Sequence, residues 1–102
     1  MIDPEEAALL VRGWKDPPRS VEIVFKGRDI NLRVPVCRVF AAQASSVAFL
    51  GEGGIVFEFF LRGCGAEFSD MPRGEPGIES VIVFVRRPDF ELTVMLLAPR
   101  TE

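Results

Sequence analysis

Apolar residues near the start of the chain recur with the period of a helix. Over residues 2–13 they follow the i, i+3, i+4, i+7 spacing that places side chains on one face of a helix. An isolated helix of this length is marginally stable in water, so this face should pack against the rest of the domain. The predicted face consists of Ala7, Leu10, Val11 and Trp14.

Residues suited to helix ends stand at both ends of this segment. Asp3 fits the N-cap, Pro4 fits the first helical position, and Glu6 completes a capping box with Asp3. Gly13 is suited to a left-handed stop. A short connector is expected over residues 15–20, because its two consecutive prolines exclude a helix.

From residue 21 to residue 98 the apolar residues alternate with the period of a strand. Pro35 interrupts this pattern, so 36–42 is either a separate strand or the continuation of the preceding strand past a bulge. The connections are short, which favours antiparallel neighbours. The predicted strands are 21–26, 30–34, 36–42, 46–50, 55–61, 79–87 and 90–98.

Together these elements predict a single α+β domain that is mainly β. We expect residues 2–13 to form an N-terminal helix, 15–20 a connector, and 21–98 the antiparallel β-structure. The helix should pack on a strongly curved six- to seven-stranded antiparallel sheet, or on a small barrel. At 102 residues the whole chain, 1–102, has the size of one domain.

Several predicted strands are apolar on both faces, and the stretch IVFEFFLRG, residues 55–63, shows this most clearly. Its two faces are Ile55, Phe57, Phe59 and Leu61 against Val56, Glu58, Phe60 and Arg62. A sheet with one solvated side would alternate cleanly between apolar and polar positions. The second face is therefore expected to be covered by the N-terminal helix in part, and by a second copy or a ligand in the remainder.

Of these two additional covers, a second copy is the preferred interpretation. The candidate interface residues are Val56, Phe60, Phe84, Met95 and Leu97. In the alternative, the protein is a small-molecule-binding barrel or half-barrel, with a pocket lined by Phe60, Phe84 and Met95.

The charge composition argues against nucleic acid as a partner. The net charge is −3 with a pI near 5.0, and no basic stripe is visible. Residues 1–50 carry seven basic and six acidic residues, whereas residues 51–102 carry five basic and nine acidic residues. The second half is therefore the more acidic, and only mildly so.

Targeting signals and membrane segments are likewise not expected. The N-terminus lacks a basic segment followed by an apolar run, and no apolar run approaches the length of a membrane span. We therefore expect a cytoplasmic, bacterial-type domain without a membrane partner. Its two cysteines, Cys37 and Cys64, should be reduced thiols rather than a disulfide.

The residue types present exclude several classes of catalytic site. The chain has no His and no Tyr, so a His-based triad or a His metal ligand cannot form. Two isolated cysteines do not make a zinc site of the usual kind, and no glycine motif joins a strand to a helix as a phosphate loop does. We expect neither a metal nor a cofactor.

Two groups of polar residues are candidates for binding. The glycine-rich segment 63–77 is predicted to be the longest irregular segment, in which residues 66–68 could form a brief edge strand, and long loops often carry function. Its candidates are Cys64, Glu67, Asp70 and Arg73. The second group is Arg28, Arg33 and Arg38, which could converge into an anion site, although an ordinary charged outer face is the simpler interpretation.

These observations favour a small non-enzymatic protein-interaction or structural module. It would self-associate, as a homodimer, through the apolar second face. The edge strands and the 63–77 segment would remain available for a further protein partner.

Overall fold

The computed structural model describes residues 2–43, 45–70, 77–86 and 89–98, with residue 70 described by its backbone. It contains one α-helix, seven strands and a short 3-10 turn over Glu52–Gly54 between the third and fourth strands. The elements are α1 (Pro4–Gly13), β1 (Ser20–Gly27), β2 (Asn31–Ala42), β3 (Ser46–Leu50), β4 (Val56–Phe60), β5 (Gly65–Asp70), β6 (Ile78–Arg86) and β7 (Phe90–Leu97).

Helix α1 has the predicted N-cap, begins two residues later than the predicted range 2–13, and ends in a different conformation. The Asp3 carboxylate accepts a hydrogen bond from the Glu5 backbone N–H at 2.9 Å, and Pro4 occupies the first position. The predicted left-handed stop at Gly13 is wrong, because Trp14 caps the helix in a right-handed conformation. The Trp14 N–H donates to the Val11 carbonyl at 3.0 Å, which tightens the last turn.

The helix also docks on a narrower face than the one predicted. Ala7, Ala8 and Val11 are fully or almost fully buried, and Trp14 packs partly against the core. Leu10 was expected on this face but remains 37% exposed. The buried face is therefore centred on Ala7, Ala8 and Val11, and Leu10 lies at its margin.

The strands form one antiparallel sheet in the order β4-β3-β2-β1-β7-β6-β5. This confirms a mainly β fold with one N-terminal helix. The sheet does not close into a barrel, since β4 and β5 stand at its two edges and do not pair with each other within the described residues. Pairing of the first strand with the last unites two meanders, β1–β4 and β5–β7.

Strand β2 settles the two interpretations of the segment after Pro35. It runs without a break through Pro35, so residues 36–42 continue the preceding strand. Its pairing with β1 shifts register between Val21 and Ile23, next to this proline. Its pairing with β3 shifts again between Val39 and Ala41. Such irregularities accommodate a residue without an N–H and bend the strand.

A contact between aromatic rings shows how far the sheet bends. Phe25 pairs with Leu32 at the start of β2, whereas Phe59 is linked through β3 to Ala42 at the end of β2. A straight strand would separate Leu32 from Ala42 by roughly 33 Å. Yet the rings of Phe25 and Phe59 stack with centroids 5.2 Å apart. The second half of β2 therefore folds back with β3 and β4 over the first half.

The core lies inside this bend, on the face that also receives the helix. We call it the inner face. Its fully buried large side chains are Val21, Ile23, Val47, Phe49, Ile82, Phe84, Leu92 and Val94, with Val11 from the helix. Helix α1 contacts β2, β3 and β5, and Ile2 forms a bridge with Ala66 of β5. In the described part of the chain, no helix has the length and apolar character needed to cross a membrane.

Candidate functional site

The candidate site is the outer face, the side of the sheet that points away from the core and from α1. Cross-strand partners share a face, so the pairing register identifies its members. They include Glu22, Val24, Lys26, Arg33, Arg38, Leu50, Val56, Glu58, Phe60, Glu67, Val81, Val83, Val85, Thr93 and Met95. The helix was expected to cover part of this second face. That expectation is wrong, because α1 lies on the inner face.

Phe60 on β4 is the most exposed large apolar side chain among the described residues, and β2 carries two further exposed apolar side chains, Val36 and Phe40. Phe60 is 66% exposed and Val56 is 46% exposed. Val81, Val83 and Met95, near the middle of the sheet, are only half-buried as well. Burying a side chain of this size is worth roughly 1.5–3 kcal/mol, so a partner that covered Phe60 would gain binding free energy at β4.

The five predicted interface residues do not form one patch. Val56 and Phe60 lie together on β4, whereas Met95 and Leu97 lie on β7, four strands away in the sheet order. Phe84 is wholly buried on the inner face, opposite Leu92. Successive residues of β6 point to opposite faces, and Phe84 shares the core side with Ile82, two residues earlier. Phe84 is therefore not available to an interface.

The same placement bears on the alternative of an apolar ligand pocket. Phe60 and Met95 point outward and Phe84 points inward, so these three side chains cannot line one cavity. Two open depressions lie between α1 and the end of β2. Their lining residues are Glu5, Ala8, Leu9, Arg12, Lys15, Ala41, Ala42 and Gln43, none of which was predicted.

At the free edge of β4, the backbone is also available for pairing. The Gly51 N–H donates to the Ile55 carbonyl at 2.7 Å, and the Leu61 N–H donates to the Ser45 carbonyl at 2.9 Å. Hydrogen-bonded pairs alternate with non-bonded pairs along an antiparallel ladder. With this register, Val56, Glu58 and Phe60 direct their N–H and C=O groups away from β3. No other described strand pairs with that edge.

The short edge strand that the sequence suggested within 63–77 is present and is longer than expected. Residues Gly65–Asp70 form β5, with Glu67 exposed on the outer face. Cys64 precedes the strand and is buried, and the side chain of Asp70 and all of Arg73 lie outside the described residues. The candidates of this segment that can be placed therefore do not converge on a common site.

Both cysteines are buried free thiols. Burial, reinforced by the charge of Glu22, raises the pKa of Cys37 to about 11. Its thiol donates to the Val21 carbonyl at 3.5 Å. Burial also raises the pKa of Cys64, and the nearby Arg86 guanidinium opposes this only in part. A reactive cysteine needs the opposite shift, so neither thiol is prepared as a nucleophile.

The three candidate arginines do not converge on an anion site. Arg28 lies in the β1–β2 turn, whereas Arg33 and Arg38 stand on β2 opposite Val24 and Ser20. Arg33 is engaged by the Glu22 carboxylate at 2.7 Å. Glu22, Arg33 and Arg38 all lie on the outer face. Within the described residues, no group of three or more Cys, Asp or Glu residues is arranged to hold a metal ion.

Sequence reasoning missed the position of β4 at the edge of the sheet. The available signal was Glu58, a charge in the middle of an otherwise apolar strand, which is a common device of edge strands. Comparison of the chain with protein-family models, with curated proteins and with solved structures gave no match. Functional inference therefore depends on the geometry described above.

Proposed function

We propose that this protein is a small cytoplasmic, non-enzymatic interaction module that self-associates through the apolar part of its outer sheet face. The observation that carries the proposal is the exposure of Phe60 and Val56 on a face that the helix leaves uncovered. Single exposed apolar residues are normal on protein surfaces. Here two occur on one strand whose backbone edge is also unpartnered, which is typical of a contact surface.

The chemistry of the described residues supports a binding role over catalysis. The thiols are buried with raised pKa values, and the arginines are spread along a hairpin. The outer face combines apolar residues with a fringe of both charges, including the Glu22–Arg33 pair. Such a mixture is usual for a contact between subunits that also fold as monomers.

Dilution of the purified protein tests self-association directly. We expect native mass spectrometry and light scattering to show a dimer that dissociates on dilution, with a melting temperature that rises with protein concentration. Phe60→Glu should give a folded monomer, because a charge replaces the most exposed large apolar side chain among the described residues.

Leu9→Glu is the matched control, since Leu9 is 60% exposed but lies on the helix. It should leave the dimer intact. A wild-type protein that stays monomeric at all concentrations would contradict the proposal. A monomer that retains additional mass in the native spectrum would instead favour the small-molecule-binding alternative.

A further inference from the structure

We infer that two copies of this protein associate edge to edge, by antiparallel pairing of β4 with β4 of the second copy around a two-fold axis at Phe59. The inference rests on the proposed self-association and specifies its geometry. Pairing of β4 with β4 would join the two sheets into one continuous sheet. Such a dimer differs from one in which the outer faces stack on each other.

Two independent observations point to the β4 edge. The outward N–H and C=O groups of Val56, Glu58 and Phe60 follow from the hydrogen bonds that flank the β3–β4 ladder. Phe60 is also the most exposed large apolar side chain of the described residues. An unpaired edge with apolar side chains is a template for another strand.

The opposite edge is less suitable for a partner strand. Strand β5 already receives the Ile2 N–H at the Ala66 carbonyl, at 3.0 Å. Its outer-face side chains, Glu67 and Ser69, are polar and exposed. Pairing there would require Ile2 to leave β5, and it would bury little apolar surface on the outer face.

Charge complementarity selects the second copy as the occupant and fixes the register. A pairing centred on Glu58 would place the two Glu58 carboxylates directly opposite each other, which is destabilising. A pairing centred on Phe57 would place Phe60 opposite Gly54, which has no side chain to cover the ring. Centring on Phe59 avoids both of these problems.

In the register centred on Phe59, Glu58 lies opposite Phe60 of the second copy. These two residues exchange backbone hydrogen bonds through the groups that now point to solvent. The two Phe60 rings become diagonal neighbours on the outer face, within reach of each other. Arg62 lies in the turn directly after β4, with its carbonyl accepting from the Arg86 guanidinium at 2.9 Å and its side chain exposed. This register brings Glu58 of the second copy to the same end of β4, so Arg62 supplies the opposite charge there.

Two substitutions at position 58 separate edge pairing from face stacking. The Glu58 N–H makes no bond to β3, so Glu58→Pro leaves the β3–β4 ladder intact but removes a donor from the edge. We expect it to raise the dimer dissociation constant roughly a hundredfold, since the two-fold axis doubles each lost bond. Glu58→Ala, the matched control, keeps the N–H and should still dimerise.

A charge exchange tests the register with variants that leave the backbone unchanged. Within one chain, Arg62 lies beyond β4, in the turn that the Cys64 N–H closes on the Leu61 carbonyl, and among the described residues it forms no ion pair with Glu58. Glu58→Lys and Arg62→Glu should each weaken the dimer roughly tenfold, because each brings like charges together across the axis. The double variant should restore wild-type association.

The outcomes distinguish this inference from the proposed function. Loss of the dimer in Glu58→Pro, with the double charge variant recovering, supports edge pairing. A dimer that survives Glu58→Pro but not Phe60→Glu overturns edge pairing and leaves self-association through the face. A double charge variant no better than the single ones overturns the register. A wild-type monomer at all concentrations overturns both proposals.

Discussion

Phe25 and Phe59 stack with ring centroids 5.2 Å apart and planes inclined by 27°, although two strands lie between theirs in the sheet order. Phe25 also stacks on Phe90, with centroids 5.5 Å apart, so it is the middle ring of three. This contact ties the β3–β4 hairpin to the centre of the sheet. It therefore holds the edge strand of the candidate interface in place.

We expect the Phe25–Phe59 pair to be energetically coupled. In a double-mutant cycle of Phe25→Leu and Phe59→Leu, the coupling free energy should be about 0.5–1.5 kcal/mol, as measured for aromatic pairs. Urea denaturation of the four proteins measures it. The control cycle combines Phe59→Leu with Ile82→Val, because Ile82 lies on β6. The losses of unfolding free energy caused by these two substitutions should add within about 0.5 kcal/mol. A coupling free energy near zero in the Phe25–Phe59 cycle, as in the control cycle, would contradict a stabilising contact between the two rings.

Phe60 and Phe84 should differ sharply in their contribution to folding. Phe84→Ala removes a wholly buried ring and should lower the free energy of unfolding by about 3–5 kcal/mol. Phe60→Ala removes an exposed ring and should change it by less than about 0.5 kcal/mol. Both are measured at concentrations low enough to keep the protein monomeric. A large loss for Phe60→Ala would place that ring in the core of the monomer.

Cys37 should make stability depend on alkaline pH. Its pKa is about 11 in the folded protein against 9.0 for a free thiol, so the folded state holds the proton more tightly. The corresponding stability is present below pH 9 and is lost as pH rises toward 11, a decrease of roughly 2–3 kcal/mol. Denaturation between pH 8 and pH 11 measures this loss. Cys37→Ala should show a shallower decline, and an identical decline would contradict the assignment.

Both thiols should react slowly in the folded protein. Burial raises the pKa of Cys37 and of Cys64, so little thiolate is present at pH 8 and access is restricted. A disulfide reagent that releases a coloured thiol should label the native protein much more slowly than the urea-unfolded protein. Cys37→Ser allows the remaining signal to be assigned to Cys64. Rapid labelling of Cys64 in the native state would reopen a chemical role for it.

The N-cap of α1 should contribute measurably to stability. Asp3→Ala removes the acceptor for the Glu5 N–H and should cost about 1 kcal/mol. Asp3→Ser keeps a capping oxygen and should retain most of that stability. Thermal or urea denaturation distinguishes the two variants. Equal losses in both would mean that the side-chain cap contributes little and that α1 is held by its packing.

Local patterns were enough to predict most of the elements. Asp3 and Pro4 defined the start of α1, and the alternation of apolar residues located the β3–β4 and β6–β7 hairpins within a few positions. These features depend on residues close in sequence, whose capping and pairing preferences act locally. The mainly β, antiparallel architecture followed because the connections were too short for crossovers.

The contact surface depended on information that is not local. A strand that is apolar on both faces looks the same whether it lies at the centre of a sheet or at its edge. Phe60 and Phe84 both occur in such strands, yet one is 66% exposed and the other is wholly buried. The side of the sheet that α1 and the core occupy decides between them, because Phe84 lies on that inner face and Phe60 lies on the outer face.

The sequence by itself determined the N-cap of α1, the approximate positions of most strands, the antiparallel direction of neighbouring strands and the absence of His and Tyr from the chain. The tertiary structure decided which side of the sheet α1 covers, how β2 bends, and which edge remains open. The physical reason is that capping, alternation and turn formation involve a few adjacent residues. The side covered by a helix and the curvature of a sheet arise from packing between residues such as Val11, Phe25 and Phe59, which lie far apart in the chain.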